Sequence, residues 1–134
     1  MEEEGLAAYT FAKVVDSSFE ETLEKLIEEL KKEGFGVLTD IDVKATMKKK
    51  LDVDFRNYRI LGACNPPFAY KALQSERLIG TMLPCNVVVQ DAENGGTEVA
   101  AIDPVASMQA VENPALAEVA KEVRAKLKRV IASM

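Results

Sequence analysis

Hydrophobic and polar positions first alternate and then recur at helical spacing near the start of the chain. The alternation predicts a strand over residues 6–15, half-buried on both sides. A helix over 18–33 follows, because Ser18 and Glu21 form a capping box and Gly34 suits a left-handed stop. The apolar side chains of this helix form one stripe, made of Phe19, Leu23, Leu26, Ile27 and Leu30.

The same two periods continue through the rest of the chain. Asn94 and Gly95 lie between two alternating segments and indicate a hairpin, and therefore antiparallel pairing. Asp42, Asn65, Asp103 and Asn113 each precede a predicted helix and suit its N-cap. The remaining predicted strands are 35–41, 55–63, 85–91 and 97–102, and the remaining predicted helices are a short one after Asp42, one over 66–75 and a long one over 114–131.

No long Gly-, Ser- or Pro-rich linker divides this series of elements. The sequence therefore predicts one α+β domain over residues 1–134, with an antiparallel sheet. We expect the helices 18–33 and 114–131 to bury Leu26 and Leu127 in the core.

Composition excludes several classes of function. The chain has no His and no Trp, which removes the usual general base and the usual nitrogen ligand for metals. Its net charge of -5 opposes binding to nucleic acid. The acidic first residues and the lack of an apolar run of about 18 residues favour a cytoplasmic protein without a membrane span. Motifs for nucleotide hydrolysis and for metal catalysis are missing as well.

The most distinctive segment contains Cys64 and Asn65, at the predicted junction of a strand and a helix. A thiol beside a helix N-terminus can be a nucleophile, but Pro66 and Pro67 remove two amide donors there. The other interpretation is a small buried thiol next to an N-cap. Cys85 repeats the Cys-Asn pattern at the start of a later strand. Two thiolates can bind Cu(I), but they are short of the four ligands that close a zinc site.

Charged residues near predicted strand ends are a second group of candidates. Asp40, Asp42 and Asp103 could act as an acid and a base if burial separated their pKa values, and Lys44 could pair with an anion. Helix capping explains Asp42 and Asp103 equally well, and a solvated lysine explains Lys44.

Three segments together resemble the DUF302 family: residues 35–46, 58–66 and 83–89, continued by 102–104. The resemblance covers about residues 14–108. It implies a small α+β domain of TBP-like topology that forms a homodimer, with the helices packed on one face of an antiparallel sheet. No established activity comes with it. The family motif positions that match here are Asp42, Lys44, Cys64, Asn65, Pro66, Pro84, Cys85, Asn86 and Asp103.

The resemblance and the predicted hairpin together indicate that the two Cys-Asn segments lie at the same end of the sheet on neighbouring antiparallel strands. The function we expect is non-enzymatic binding of a small molecule, or of a partner, with no cofactor and no resident metal. The ligand-binding candidates are Cys64, Asn65, Cys85, Asn86, Asp42, Lys44 and Asp103. The alternatives are a thiol-dependent redox protein or enzyme that uses Cys64 with Cys85 as its resolving partner, and soft-metal handling through both cysteines.

Overall fold

The strands form a single antiparallel sheet in the computed structural model, which describes residues 8–134. They are β1 (Thr10–Val15), β2 (Gly36–Asp42), β3 (Tyr58–Cys64), β4 (Cys85–Asp91) and β5 (Thr97–Ile102). Their order in space is β1-β5-β4-β3-β2, and every neighbouring pair is antiparallel. The predicted α+β class and the predicted antiparallel sheet are confirmed.

Apart from an added 3₁₀ turn before β4 and a separate one-turn helix after Asp103, the predicted order is confirmed for the helices. They are α1 (Phe19–Lys32), α2 (Val43–Leu51), α3 (Pro66–Ser75), α4 (Pro104–Ser107) and α5 (Pro114–Ala132), with a short 3₁₀ turn at Ile79–Met82. The apolar stripes of α1 and α5 pack on the sheet, and Leu26 and Leu127 are fully buried as expected. Side-chain caps form as predicted on α1, α2, α4 and α5, from Ser18, Asp42, Asp103 and Asn113.

Two separate groups of buried apolar side chains hold the domain together. The main core lies between the sheet and the helices α1 and α5. The second group, which we call the small core, joins α3, the 3₁₀ turn and α4 to the first half of α5. It consists of Ala72, Ile79, Met108, Leu116 and Ala120.

Two predicted strands begin more than two residues too early, whereas the other boundaries agree within one residue. The first strand begins at Thr10, because residues 8 and 9 form a turn; residues 6 and 7 lie outside the described part of the chain. The third strand begins at Tyr58 instead of residue 55. The amide of Asn57 donates to the carboxylate of Asp91 at 3.1 Å, so a side chain takes the place of a ladder carbonyl there.

Candidate functional site

The pairing of β3 with β4 brings the two cysteines to one end of the sheet. Ala63 lies opposite Cys85 in the antiparallel register, so Cys64 and Cys85 are diagonal neighbours. The prediction that the two Cys-Asn segments occupy the same sheet end on neighbouring antiparallel strands is confirmed. Both cysteines are free thiols; Cys64 is half-buried and Cys85 is buried.

An apolar cavity of about 260 Å³ opens at this end of the sheet. Of the described residues that line it, only Cys64, Asn65 and Cys85 carry a thiol or an amide side chain. The others are aliphatic, aromatic, proline or methionine residues: Phe35, Leu38, Ala63, Phe68, Ala69, Ala72, Leu73, Leu83, Pro84, Pro104, Met108, Val119, Ala120 and Val123. The cavity therefore lies at the boundary between the main core and the small core, which each contribute part of its wall.

Asn65 lines the cavity from the junction of β3 and α3 and is only 8% exposed. It occupies the N-cap position of α3, but its side chain accepts no capping hydrogen bond. An N-cap side chain normally accepts from the second or third helical amide, and the second position here is Pro67, which has no N–H. Asn65 is the N-cap residue of α3 as predicted, but its side chain forms no capping hydrogen bond.

The Asn65 side chain instead connects two helices. Its Nδ2 donates to the backbone carbonyl of Glu33 at the end of α1, at 3.1 Å. Gly34 permits this contact, because a Cβ at that position would lie 3.1 Å from the same nitrogen. Gly34 also has a φ of +89°, the left-handed conformation in which glycine is not strained. The end of α1 and the start of α3 are thus joined beside the cavity.

The Cys85 thiol is held in its protonated form. Burial, and secondarily the charge of a thiolate at Cys64, raises the pKa of the Cys85 thiol to about 11. The thiolate is the form of cysteine that attacks electrophiles and binds metals. At neutral pH Cys85 therefore behaves as a small, weakly polar wall residue.

Asp103 lies behind the cavity wall and does not line it. One carboxylate oxygen accepts from the Val105 amide at 3.0 Å, and the other accepts from Nε of Arg124 at 3.1 Å. These bonds fix the first turn of α4 against α5, and α4 in turn supplies Pro104 to the cavity. Its capping and its ion pair account for the burial of Asp103.

Three predicted site residues lie away from the cavity. Asn86 follows Cys85 on β4, so strand alternation turns its exposed side chain to the opposite face of the sheet. Asp42 is exposed and caps α2 through the Ala45 amide at 3.0 Å. Lys44 is exposed on α2 and makes no ion pair within residues 8–134. Of the predicted ligand-binding residues, the structure brings Cys64, Asn65 and Cys85 together at the cavity. The other predicted residues do not line it: Asn86, Asp42, Lys44 and Asp103.

Several wall residues were missed by the sequence interpretation, and Phe68 is the most prominent. It is half-buried on α3 and also packs against the main core. Val119 and Val123 line the cavity from α5. They belong to the apolar positions at helical spacing that predicted this helix, but such spacing does not indicate where packing is incomplete. The sequence signal for Phe68 was its position, because it is an apolar residue about one helical turn after Cys64.

Charged side chains surround the outer side of this region without lining it. Glu33 accepts hydrogen bonds from Nε and Nη2 of Arg129 at 3.1 and 2.9 Å. The Arg129 guanidinium, with Lys126 nearby, holds the pKa of Glu33 below its ordinary value against the opposing effect of burial. The ammonium groups of Lys71 and Lys126 lie 5.4 and 5.9 Å from the centroid of the Phe68 ring.

Residues 8–134 contain neither a cluster of metal-ligating side chains nor a membrane-spanning helix. The side chains of His, Cys, Asp and Glu form no group of three or more that could hold a metal ion. None of the described helices combines the length and the apolar character needed to cross a bilayer.

The sheet order, the two cores and the cavity together define a small α+β domain with a partly open apolar site at one sheet end. The chain belongs to the DUF302 family, since the model of the domain of unknown function DUF302 matches residues 11–134. It is similar to an uncharacterized conserved protein DUF302 from Bacillus stearothermophilus, known from a crystal structure. The two share 35% identity with a TM-score of 0.86, over 94% of this chain and 98% of that one. No curated protein matches this chain.

Proposed function

We propose that this domain binds a small, mainly apolar molecule in the cavity between α3, α5 and the sheet, and that it does so without catalysis. The observation that carries the proposal is the cavity itself, about 260 Å³ of apolar, partly open space between the two cores. Protein interiors are normally close-packed, so a space of this size next to two well-formed cores is unusual. An apolar cavity of about 150 Å³ is enough to admit benzene, and a two-ring molecule therefore suits this one.

The chemistry of the wall favours binding over thiol catalysis. A redox pair or a resolving cysteine needs an accessible thiolate, whereas burial raises the pKa of the Cys85 thiol to about 11. The same protonated thiol weakens the alternative of Cu(I) handling, because the metal ligand is also the thiolate. No charged side chain among the described residues lines the cavity to act as a general base.

Binding can be tested with two neutral probes, indole and benzothiophene, titrated into protein labelled with nitrogen-15. We expect saturable shifts of backbone amides around the cavity, including those of Phe68 and Ala120. Ala69 lines the cavity from α3 and is half-buried, so Ala69→Phe should fill it and abolish the saturable shifts.

The matched control is Ala125→Phe, which adds the same benzyl group to an exposed position on α5. This variant should bind both probes as the natural chain does. Circular dichroism confirms that each variant is folded before titration. Absence of saturable binding of either probe to the natural chain, or equal binding by Ala69→Phe, would contradict the proposed function.

The family resemblance adds two finer points to this proposal, a TBP-like topology and a homodimer, and the acidic first residues and lack of a long apolar run add a cytoplasmic location. The net charge of -5 supports the further expectation that neither nucleic acid nor an anionic membrane surface is a partner. Sedimentation equilibrium across a range of concentrations tests the homodimer. A mass that stays at that of one chain throughout would contradict it.

A further inference from the structure

We infer that the cavity selects an uncharged, mainly apolar molecule with one hydrogen-bond donor, and that this donor bonds to Oδ1 of Asn65. The inference rests on the proposed function and specifies its ligand. It depends on the hydrogen bonding of one buried amide and on the absence of charge in the described cavity wall.

The orientation of the Asn65 amide follows from its partner. A backbone carbonyl only accepts hydrogen bonds, so the group that faces the Glu33 carbonyl at 3.1 Å must be the NH₂ of Asn65. Oδ1 is then the remaining polar atom of the side chain, and no donor within residues 8–134 bonds to it. Every buried side-chain nitrogen and oxygen of the described residues has a partner, so this oxygen keeps some accessible surface, and a donor on the ligand can bond to it.

The helix start explains why the protein itself does not use this acceptor. In an ordinary N-cap, the oxygen accepts from the amide of the second or third helical residue. Pro66 and Pro67 occupy the first two positions of α3, and the Asn65 side chain is held by Glu33 instead. The oxygen therefore has no donor within residues 8–134 and can accept a hydrogen bond from a ligand.

The same features disfavour an anionic ligand. Prolines at the first two helical positions remove two of the amides with which a helix N-terminus binds anions. The two thiols of the wall are weak donors. Lys71 and Lys126 contact the Phe68 ring and do not line the cavity. A carboxylate inside would thus lose its hydration without a strong partner.

The test compares three probes of nearly the same shape by calorimetry. Indole has one N–H donor, and benzothiophene carries a sulfur atom in its place. We expect indole to bind about 2- to 12-fold more tightly, the range that one net hydrogen bond provides. Indole-5-carboxylate adds a charge to the same ring and should bind at least about tenfold more weakly than indole.

Asn65→Leu removes the acceptor and should equalise the affinities of indole and benzothiophene. Because this variant also loses the bond to Glu33, a second measurement uses the natural chain: a nuclear Overhauser effect between the indole N–H proton and the Hβ protons of Asn65. Equal affinities in the natural chain, a preference retained in Asn65→Leu, or an absent Overhauser effect would overturn the assignment to Asn65. Equal or tighter binding of the carboxylate would overturn the selection for uncharged molecules.

These outcomes are distinct from failure of the proposed function. If no probe binds the natural chain, the proposed function itself is wrong. If benzothiophene and indole bind equally and Ala69→Phe blocks both, the cavity is a binding site, and only the donor selectivity is wrong.

Discussion

Replacement of Gly62 by alanine tests how tightly the sheet is packed beside the cysteines. Gly62 lies in β3 between Thr39 of β2 and Asn86 of β4. A Cβ at this position would overlap with Oγ1 of Thr39 and would lie 2.7 Å from Cγ of Pro84. The backbone of Gly62 is not in the left-handed region, so the obstacle to alanine is steric and does not come from φ.

The size of the effect follows from which neighbours can move. The Thr39 side chain is exposed and can rotate, but the Pro84 ring is held by its own backbone. Overpacking of this kind typically costs about 1 to 3 kcal/mol. We therefore expect Gly62→Ala to lower the free energy of unfolding by that amount, out of the roughly 5 to 15 kcal/mol available to a domain.

The assay is urea unfolding at equilibrium, and the chain provides a matched control. Gly36 also lies in a strand without a left-handed φ, and a Cβ there meets no atom within 4 Å. Gly36→Ala should be neutral, or more stable by up to about 1 kcal/mol, because alanine restricts the unfolded chain. Adding Thr39→Ala to Gly62→Ala should recover at least about 0.5 kcal/mol as a coupling between the two sites.

The reasoning would be refuted if Gly62→Ala and Gly36→Ala had the same effect on stability. If Gly62→Ala were destabilising but not coupled to Thr39→Ala, the obstacle would be the Pro84 ring alone. Unchanged m-values are required for both comparisons, because they show that the unfolded states are alike.

Three further predictions concern the core, a thiol and an ion pair. Leu127→Ala should cost about 2 to 5 kcal/mol in urea unfolding, since Leu127 is fully buried, whereas Leu51→Ala at 65% exposure should cost under about 1 kcal/mol; similar costs would contradict the packing of α5. Alkylation of Cys85, followed by peptide mass spectrometry, should be slow at pH 8 and accelerate toward its pKa of about 11; rapid labelling at neutral pH would argue against the buried, protonated thiol. Arg59 donates to both carboxylate oxygens of Asp40 and lowers the pKa of Asp40 below its ordinary value of 3.8. The ion pair therefore stabilises the fold above pH 3.8. This contribution is lost as the pH falls through the lower pKa that Asp40 has in the folded state. Arg59→Met should therefore cost up to about 1 kcal/mol at pH 7 and progressively less below about pH 4, and a cost independent of pH would exclude this explanation.

The order of elements could be predicted from the sequence because local signals agree with the final packing. Ser18, Asp42 and Asn113 form the caps that their positions indicate, and the stripe that contains Leu127 faces the core. Antiparallel pairing of β3 and β4 could also be predicted, from the hairpin and the family resemblance, although chain length alone permits a parallel crossover.

The composition of the site could be predicted only in part. Asn86 follows Cys85 in the motif, but the two-residue period of a strand separates their side chains onto opposite faces. Asn65 occupies the N-cap that its position in the sequence indicates, but its side chain bonds to the Glu33 carbonyl instead of to a helix amide. The cavity itself arises from incomplete packing between segments that are distant in sequence, so no local sequence pattern indicates it.

The division of the apolar interior into two cores has a consequence for motion. The small core holds α3 and α4 mainly through α5, whereas the main core holds the sheet. Because a cavity lies between them, the small core can separate with the loss of fewer contacts than global unfolding requires. Amide hydrogens of α3 should consequently exchange with solvent through a partial opening of lower free energy than that of β4. Such an opening would widen the mouth of the cavity for a guest molecule while the sheet stays intact.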